Sequence, residues 1–332
     1  AEQAIQQYEK AIDIQPDYAQ AHFNLGMTLL QTGDYERGLV EYDWRWKTGQ
    51  FTPFQCPHPQ WDGSPIPDKT LLLHTEQGAG DAIQFARYIP LAAALCKRLL
   101  LVCTDDVAPL FATIPGIAQL RGVGQIKVSD FDTYLPLMSL ARVLKTRLDT
   151  IPADMPYLDR TAIRRRKDLT ALALLPSPSP KIGLVWAGSP THKNDRHRSC
   201  PLEAFLPLLR LPRLSFYSFQ KGDKVKDIAQ LPAEVQVHDL DAQMKDYGDT
   251  AILLDQLDLL ISIDTSVVHL AGALGKPVWT LLSHIPDWRW LLEGAETRWY
   301  PSMRLFRQAS TDDWAGVMEQ VAEALLPQAW ER

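Results

Sequence analysis

Short apolar runs alternate with helix-length segments from Thr70 to the end of the chain, and this alternation limits the fold more than any other feature. Thr70–His74 (TLLLH) reads as a buried strand. The glycine-containing loop Thr75–Gly80 follows, then an amphipathic helix over Asp81–Cys96 and a second strand at Arg98–Cys103. Strand, loop, helix and strand at this spacing make a βαβ unit. Short runs at Gln125–Val128 and Phe131–Leu135 and a charged helix at Arg160–Leu175 complete the first series. Pro176-Ser-Pro-Ser-Pro180 then stops the helix, because proline has no amide hydrogen to give it. A second series starts at once. Its strands are predicted at Lys181–Ala187, Leu214–Phe219, Val235–His238, Asp258–Ile263 and Pro277–Leu282. Its helices are predicted at Pro201–Arg210 (with Ser199 as cap), Thr250–Gln256, Thr265–Leu274 and Thr311–Leu326. Two doubly wound halves joined by a proline-rich connector predict an α/β chain of two Rossmann-like domains.

At 332 residues there is room for both domains and a small appendage. With 46% hydrophobic and 22% charged residues, the chain can build a core without disulfides and is not disordered throughout. Its formal charge of −6 disfavours general nucleic-acid binding, which needs a basic face. No apolar run reaches membrane-spanning length; the nearest, Tyr88–Cys103, is interrupted by Pro90, Lys97 and Arg98. Cys56, Cys96, Cys103 and Cys200 form no CxxC pair and fit no zinc spacing. Free thiols in a reducing compartment follow, so a cytoplasmic chain without a bound metal or resident cofactor is expected.

The appendage is the first 46 residues. Ala4, Tyr8, Ala11 and Pro16 have the spacing of one repeat's second helix, and His22, Leu25, Gly26 and Leu29 that of the next repeat's first helix. Gly33-Asp34-Tyr35 supplies the turn, and a shift of about 34 residues carries Ala4 to Gly38 and Tyr8 to Tyr42. Small residues let two helices approach, and large ones fill the gaps. The segment resembles the tetratricopeptide repeat family over about one and a half repeats. That implies further repeats upstream and a protein or peptide partner. The expected division is therefore 1–46 repeat segment, 47–68 proline-rich linker, 69–176 first Rossmann-like domain (for an acceptor) and 177–332 second (for a nucleotide). Whether the linker is ordered or a tether stays open.

Four loops at strand ends carry candidate chemistry. In Glu76–Asp81, Gly78 and Gly80 allow close backbone approach, and Asp81 is either a general base or a carboxylate settling a helix N-terminus. A dinucleotide fingerprint needs a third glycine where Ile83 stands, which disfavours a nicotinamide enzyme. The loop after Ala187 holds Ser189, Lys193, Arg196 and Arg198, a set suited to gripping a diphosphate. Gln220 and Lys221 end a further strand. Asp264 ends a buried strand, and Thr265 and Ser266 open a helix whose amides form an anion site. His269 lies one turn on, where it either donates to a phosphate or packs. With no GxSxG elbow, a serine hydrolase does not fit. Trp288, Trp290, Trp299 and Tyr300 either line an acceptor groove or fill the core.

Gly80–Pro90 (GDAIQFARYIP), Gly183–Pro190 (GLVWAGSP) and Asp264–Pro277 (DTSVVHLAGALGKP) together resemble the bacterial heptosyltransferases of glycosyltransferase family nine. The likeness covers roughly residues 70–326. Joined to the repeats, the chain is also similar to bacterial relatives of the O-linked N-acetylglucosamine transferases. The resemblance implies a GT-B fold and an inverting, metal-independent glycosyltransferase that uses a UDP- or ADP-sugar. It puts Asp81 at the catalytic position and Asp264, Thr265, Ser266 and His269 in the diphosphate-binding run. It implies a donor-binding basic residue in the Lys193–Arg198 loop and places Asp249 and Thr250 beside the nucleotide. Ser266 stands where the family commonly has glycine. The alternative reading is a non-catalytic repeat scaffold that retains a transferase fold.

Overall fold

The structure is a computed structural model and describes residues 1–166, 177–192 and 194–326. The chain forms two compact units. The first comprises Ala1–Ala108, Ile114–Ala153 and Asp287–Gly294; the second comprises Pro109–Thr113, Asp154–Pro286 and Ala295–Arg332.

The first unit begins with three helices: α1 (Glu2–Ile14), α2 (Ala19–Gln31) and α3 (Tyr35–Tyr42). Ala21, Leu25, Leu29 and Leu30 of α2 are buried against Tyr35, Leu39 and Tyr42 of α3 or the chain around them. Glycines make this approach possible. A Cβ on Gly26 would stand 2.5 Å from the Tyr42 backbone nitrogen, and one on Gly38 would stand 2.8 Å from Leu30 Cγ. Asp34 caps α3 by accepting from the Arg37 amide at 3.1 Å.

A four-stranded parallel sheet follows, in the order β3-β2-β1-β4. Its strands are β1 (Ile66–His74), β2 (Cys96–Cys103), β3 (Ile117–Gly122) and β4 (Thr133–Pro136). The linker is ordered where it runs beside β4: the Trp61 amide donates to Tyr134 O at 2.8 Å, and Thr133 Oγ1 donates to Pro59 O at 2.8 Å. The predicted Asp81–Cys96 helix is broken into α4 (Ala79–Phe85), a 3₁₀ turn at Ala86–Tyr88 and a short helix at Ile89–Ala93. Pro90 removes one of the amides that would have kept it continuous.

The second unit is built on a six-stranded parallel sheet in the order β10-β9-β8-β5-β6-β7. The strands are β5 (Lys181–Val185), β6 (Ser215–Ser218), β7 (Val237–Asp239), β8 (Leu259–Ile263), β9 (Val278–Leu282) and β10 (Met303–Arg307). Ile182, Leu184, Ile261 and Leu281 form a core with Phe205, Val317 and Val321. The predicted helix at Pro201–Arg210 is a 3₁₀ turn, Leu202–Phe205, followed by a helical turn at Leu206–Leu209. Ser199 does not cap it; its hydroxyl accepts from the Gly188 amide at 3.0 Å.

The chain passes from the first unit to the second at Ala153/Asp154. The segment after that point is tied to the second unit. Tyr157 N donates to Ala273 O at 3.2 Å, and Arg160 and Arg164 pair with Asp255 at 3.0 and 2.5 Å. The charged helix is described over Arg160–Arg166; its predicted remainder, with Pro176, lies outside the described residues. Among the described residues no helix is long and apolar enough to cross a membrane.

Candidate functional site

Ligands of doubly wound sheets sit at the carboxyl ends of the strands where the strand order reverses. In the second unit that point lies between β5 and β8. The loop after β5 is tightly packed at Gly188, where a Cβ would stand 2.4 Å from Asp195 Oδ1 and 2.5 Å from Arg198 Nη2. Arg198 ties this loop to the next one. Its Nε donates to Asp195 Oδ1 at 3.2 Å, and its Nη1 donates to the carbonyl of Asp264 at 3.2 Å. Thr265 then precedes the Ser266–Ala273 helix and makes no side-chain capping bond; the first amides of a helix have no partner within it. Tyr247 Oη donates to Ser266 Oγ at 2.8 Å. His269 is buried, and its Nδ1 lies 3.0 Å from Tyr300 Oη. Gly272 lets Tyr300 in: a Cβ there would fall 2.4 Å from the ring.

The structure thus brings Arg198, Asp264, Thr265 and Ser266 together. It uses other candidates internally. The buried Gln220 amide accepts from the Trp186 and Ala187 amides at 3.2 and 2.9 Å and donates to two carbonyls, bracing the loop after β5. Lys221 pairs with Asp241 at 2.6 Å. Asp249 and Thr250 are buried in the Tyr247–Asp255 helix, where Asp249 accepts from Lys245 N at 3.0 Å and Thr250 donates to Asp246 O at 3.0 Å. Ser189 contacts Thr191 at 2.8 Å, and Arg196 contacts His197 at 2.8 Å. Lys193 lies outside the described residues. Trp299 and Tyr300 are core here, as Trp288 and Trp290 are in the first unit.

In the first unit the strand order reverses between β1 and β4, and the Thr75–Gly80 loop sits at the end of β1. Asp81 is the third residue of α4. Its Oδ2 accepts from the Gly78 amide at 2.9 Å, and its Oδ1 accepts from Arg289. Glu76, at the other end of the loop, is gripped by both arms of Arg45, at 3.0 and 2.9 Å. Between them Gln77 holds a left-handed φ of 58°, and its amide donates to Tyr42 Oη at 3.0 Å. Burial pushes the Tyr42 phenol up to about 12, against the nearby charges of Arg45 and Arg289. Burial also works against both guanidinium charges, but Glu76 and Asp43 outweigh it at Arg45, and Asp287 and Asp81 at Arg289. Both arginines are therefore held charged. Sequence reasoning missed them, although the signal was there: Asp-Trp-Arg-Trp occurs at 43–46 and again at 287–290.

Beside the loop lies a cavity of about 210 Å³ lined by Trp46, Phe51, Phe54, His74 and Glu76. A second, of about 330 Å³, shares Phe54 and His74 and extends to Val102 and Phe131. His74 is 7% exposed, and among the described residues its Nε2 has no hydrogen-bond partner. Burial pushes this imidazole down to about 4; the Thr75 carbonyl opposes the shift and the Arg45 charge adds to it. The folded chain therefore binds the proton more weakly than the unfolded chain. Stability from this group is full above pH 6.5 and drains as pH falls towards 4. We expect a loss of about 2 kcal/mol between pH 7 and pH 5 from this residue. Urea unfolding at both pH values, in wild type and His74→Phe, measures it; an equal pH slope in the two proteins would contradict it.

Comparisons with known proteins agree with this architecture. The TPR repeat model matches residues 1–33. Protein FlbA of Caulobacter vibrioides is 26% identical over 382 residues, covering 96% of this chain; the chain spans 63% of that relative's length. E. coli heptosyltransferase WaaC, solved with ADP, superposes with a TM-score of 0.53 at 12% identity, covering 77% of this chain and 99% of that one. E. coli ADP-heptose heptosyltransferase II gives 0.51 at 13% identity, covering 77% and 97%. A family 9 glycosyl transferase from Veillonella parvula gives 0.50 at 12% identity, covering 82% and 93%. The chain therefore joins a TPR repeat segment to the GT-B fold of the heptosyltransferases.

Proposed function

We propose that this chain is a glycosyltransferase that moves a sugar from a nucleoside-diphosphate sugar to an acceptor hydroxyl. The observation that carries the reading is the meeting of Arg198, the Asp264 carbonyl and the uncapped start of the Ser266–Ala273 helix at the ends of β5 and β8. A diphosphate suits that meeting point, because amides at a helix start and a guanidinium both favour negative charge. In the reaction the acceptor oxygen bonds to the anomeric carbon from the face opposite the leaving group, inverting that centre. The bond from that carbon to the diphosphate oxygen breaks, and the nucleoside diphosphate leaves with its electron pair. The acceptor proton passes to Asp81. Protein groups aimed at the developing charge supply the stabilisation, without a metal. The ADP bound in WaaC favours ADP over UDP as the donor's nucleotide. The repeats would engage a protein or peptide, in the cytoplasm.

One observation favours the scaffold reading: both oxygens of Asp81 already accept hydrogen bonds. A carboxylate has about four lone-pair sites, so a further donor can still be taken. Calorimetric titration with ADP, UDP and GDP in metal-free buffer tests the proposal. Micromolar binding of one, weakened about 10- to 100-fold in Arg198→Ala, is the expected result. Absence of binding to all three would remove the catalytic reading and leave the scaffold.

A further inference from the structure

The two copies of Asp-Trp-Arg-Trp do the same thing at opposite ends of one loop. Each forms a 3₁₀ turn, Asp43–Lys47 in one case and Trp288–Trp290 in the other. In each the arginine is buried and pairs with the aspartate two residues before it, at 2.5 Å for Arg45–Asp43 and 2.7 Å for Arg289–Asp287. Each guanidinium also lies over a tryptophan of its own turn, Arg45 over Trp46 at 4.6 Å and Arg289 over Trp288 at 4.7 Å. The remaining arms reach the loop. Arg45 takes Glu76 and Arg289 takes Asp81. Tyr42 joins the two turns, with its ring 6.1 Å from that of Trp288 and its hydroxyl on Gln77.

The arrangement is braced from behind. Ser139 Oγ donates to Asp43 Oδ1 at 2.9 Å and accepts from Arg45 Nη2 at 2.9 Å. Arg142 closes on the other oxygen of Asp43, and the Met138 amide donates to Glu76 Oε1 at 3.2 Å. Gln84 Oε1 accepts from Arg289 Nε, so the second turn also grips α4. All of these residues belong to the first unit. A bidentate guanidinium fixes direction as well as distance, which an ammonium does not.

We propose that Arg45 and Arg289 are paired positioning residues, each holding one carboxylate of the Glu76–Asp81 loop, so that the end of the repeat segment sets the geometry of the proposed catalytic base. The proposal rests on the glycosyl-transfer reading for its effect on rate, but not for its effect on the loop. Arg45 does not touch Asp81; it acts through Glu76 and the four residues between.

Arg45→Met alone would strand the Glu76 carboxylate in a buried site, so the informative variant is Arg45→Met with Glu76→Gln, which removes both charges. Arg45→Lys, which keeps the charge without the fork, is the conservative companion. Two readouts are taken on the full chain. The first is amide hydrogen exchange over residues 76–81. The second is hydrolysis of ADP-, UDP- and GDP-sugars with water as acceptor, followed by phosphorus NMR, beside the affinity for the free nucleotides. We expect faster exchange in the loop, turnover lower by about 100-fold, unchanged nucleotide affinity, and partial recovery in Arg45→Lys. A folded double variant with wild-type exchange in the loop overturns the proposal. Faster exchange with wild-type turnover overturns the positioning role. If the wild type binds no nucleotide or releases no diphosphate, glycosyl transfer is what fails, and exchange alone decides whether the clamp exists.

Discussion

Asp81→Asn should slow turnover by about 10²- to 10⁴-fold while leaving nucleoside-diphosphate affinity as it was, because it removes a proton acceptor and nothing from the second unit. The substitution is nearly isosteric. Its carbonyl oxygen can still accept from Arg289, which holds the side chain now. The amide group cannot accept from Gly78 N, so the start of α4 loses one bond worth about 1 kcal/mol. That small structural cost separates from the chemical one in a single experiment. Single-turnover rates at saturating donor report the chemistry, and urea unfolding reports the fold. An Asn variant that turns over like wild type would take Asp81 out of the mechanism and return it to its other role, settling the helix terminus.

Arg289→Met should cost about 2–3 kcal/mol of stability, because it takes the cation from two half-buried carboxylates, Asp81 and Asp287, and a donor from the buried Gln84 amide. The Trp288 ring loses the guanidinium lying over it. Pairing Arg289→Met with Asp81→Asn should recover part of that loss, since one orphaned charge is gone. Groups in one network are not additive. Chemical denaturation of the two single variants and the double gives the coupling directly. A double variant as unstable as the sum of the singles would mean that Arg289 and Asp81 do not interact in solution.

What the sequence disclosed follows from burial. β5, β8 and β9 lie inside the six-stranded sheet and are covered on both faces, so they read as unbroken apolar runs, and the Asp264–Ser266 turn could be placed at the end of one of them. β3 and β10 were missed. Both are edge strands, and IAQLRG and MRLFR mix polar with apolar residues because one side of each is less covered. The 125–128 run has no strand; it follows a turn in which Gln125 accepts from the Gly122 amide at 3.1 Å. Within the candidate site, Arg198 and Thr265 could be placed at strand ends from the sequence, and the structure has them meet at Asp264. Arg45 and Arg289 were marked only by the repeated Asp-Trp-Arg-Trp, because the partner that makes each one informative stands 31 or 208 positions away. Gln220 shows a different limit. A polar residue at a strand end is as good a brace for two backbone amides as it is a ligand contact, and nothing in its own neighbourhood of sequence separates the two.

The return of Asp287–Gly294 to the first unit has a practical consequence for anyone recombining such proteins. A chimera cut cleanly between the repeats and the GT-B body, at residue 46 or 47, would divide a shared core. Trp288 meets Tyr35 at 5.8 Å and Tyr42 at 6.1 Å, so an exchanged repeat array must carry rings that fit a tryptophan encoded more than two hundred residues later. The portable cassette is therefore discontinuous: the last hairpin of the array, the loop it steadies and the distant eight-residue return travel together.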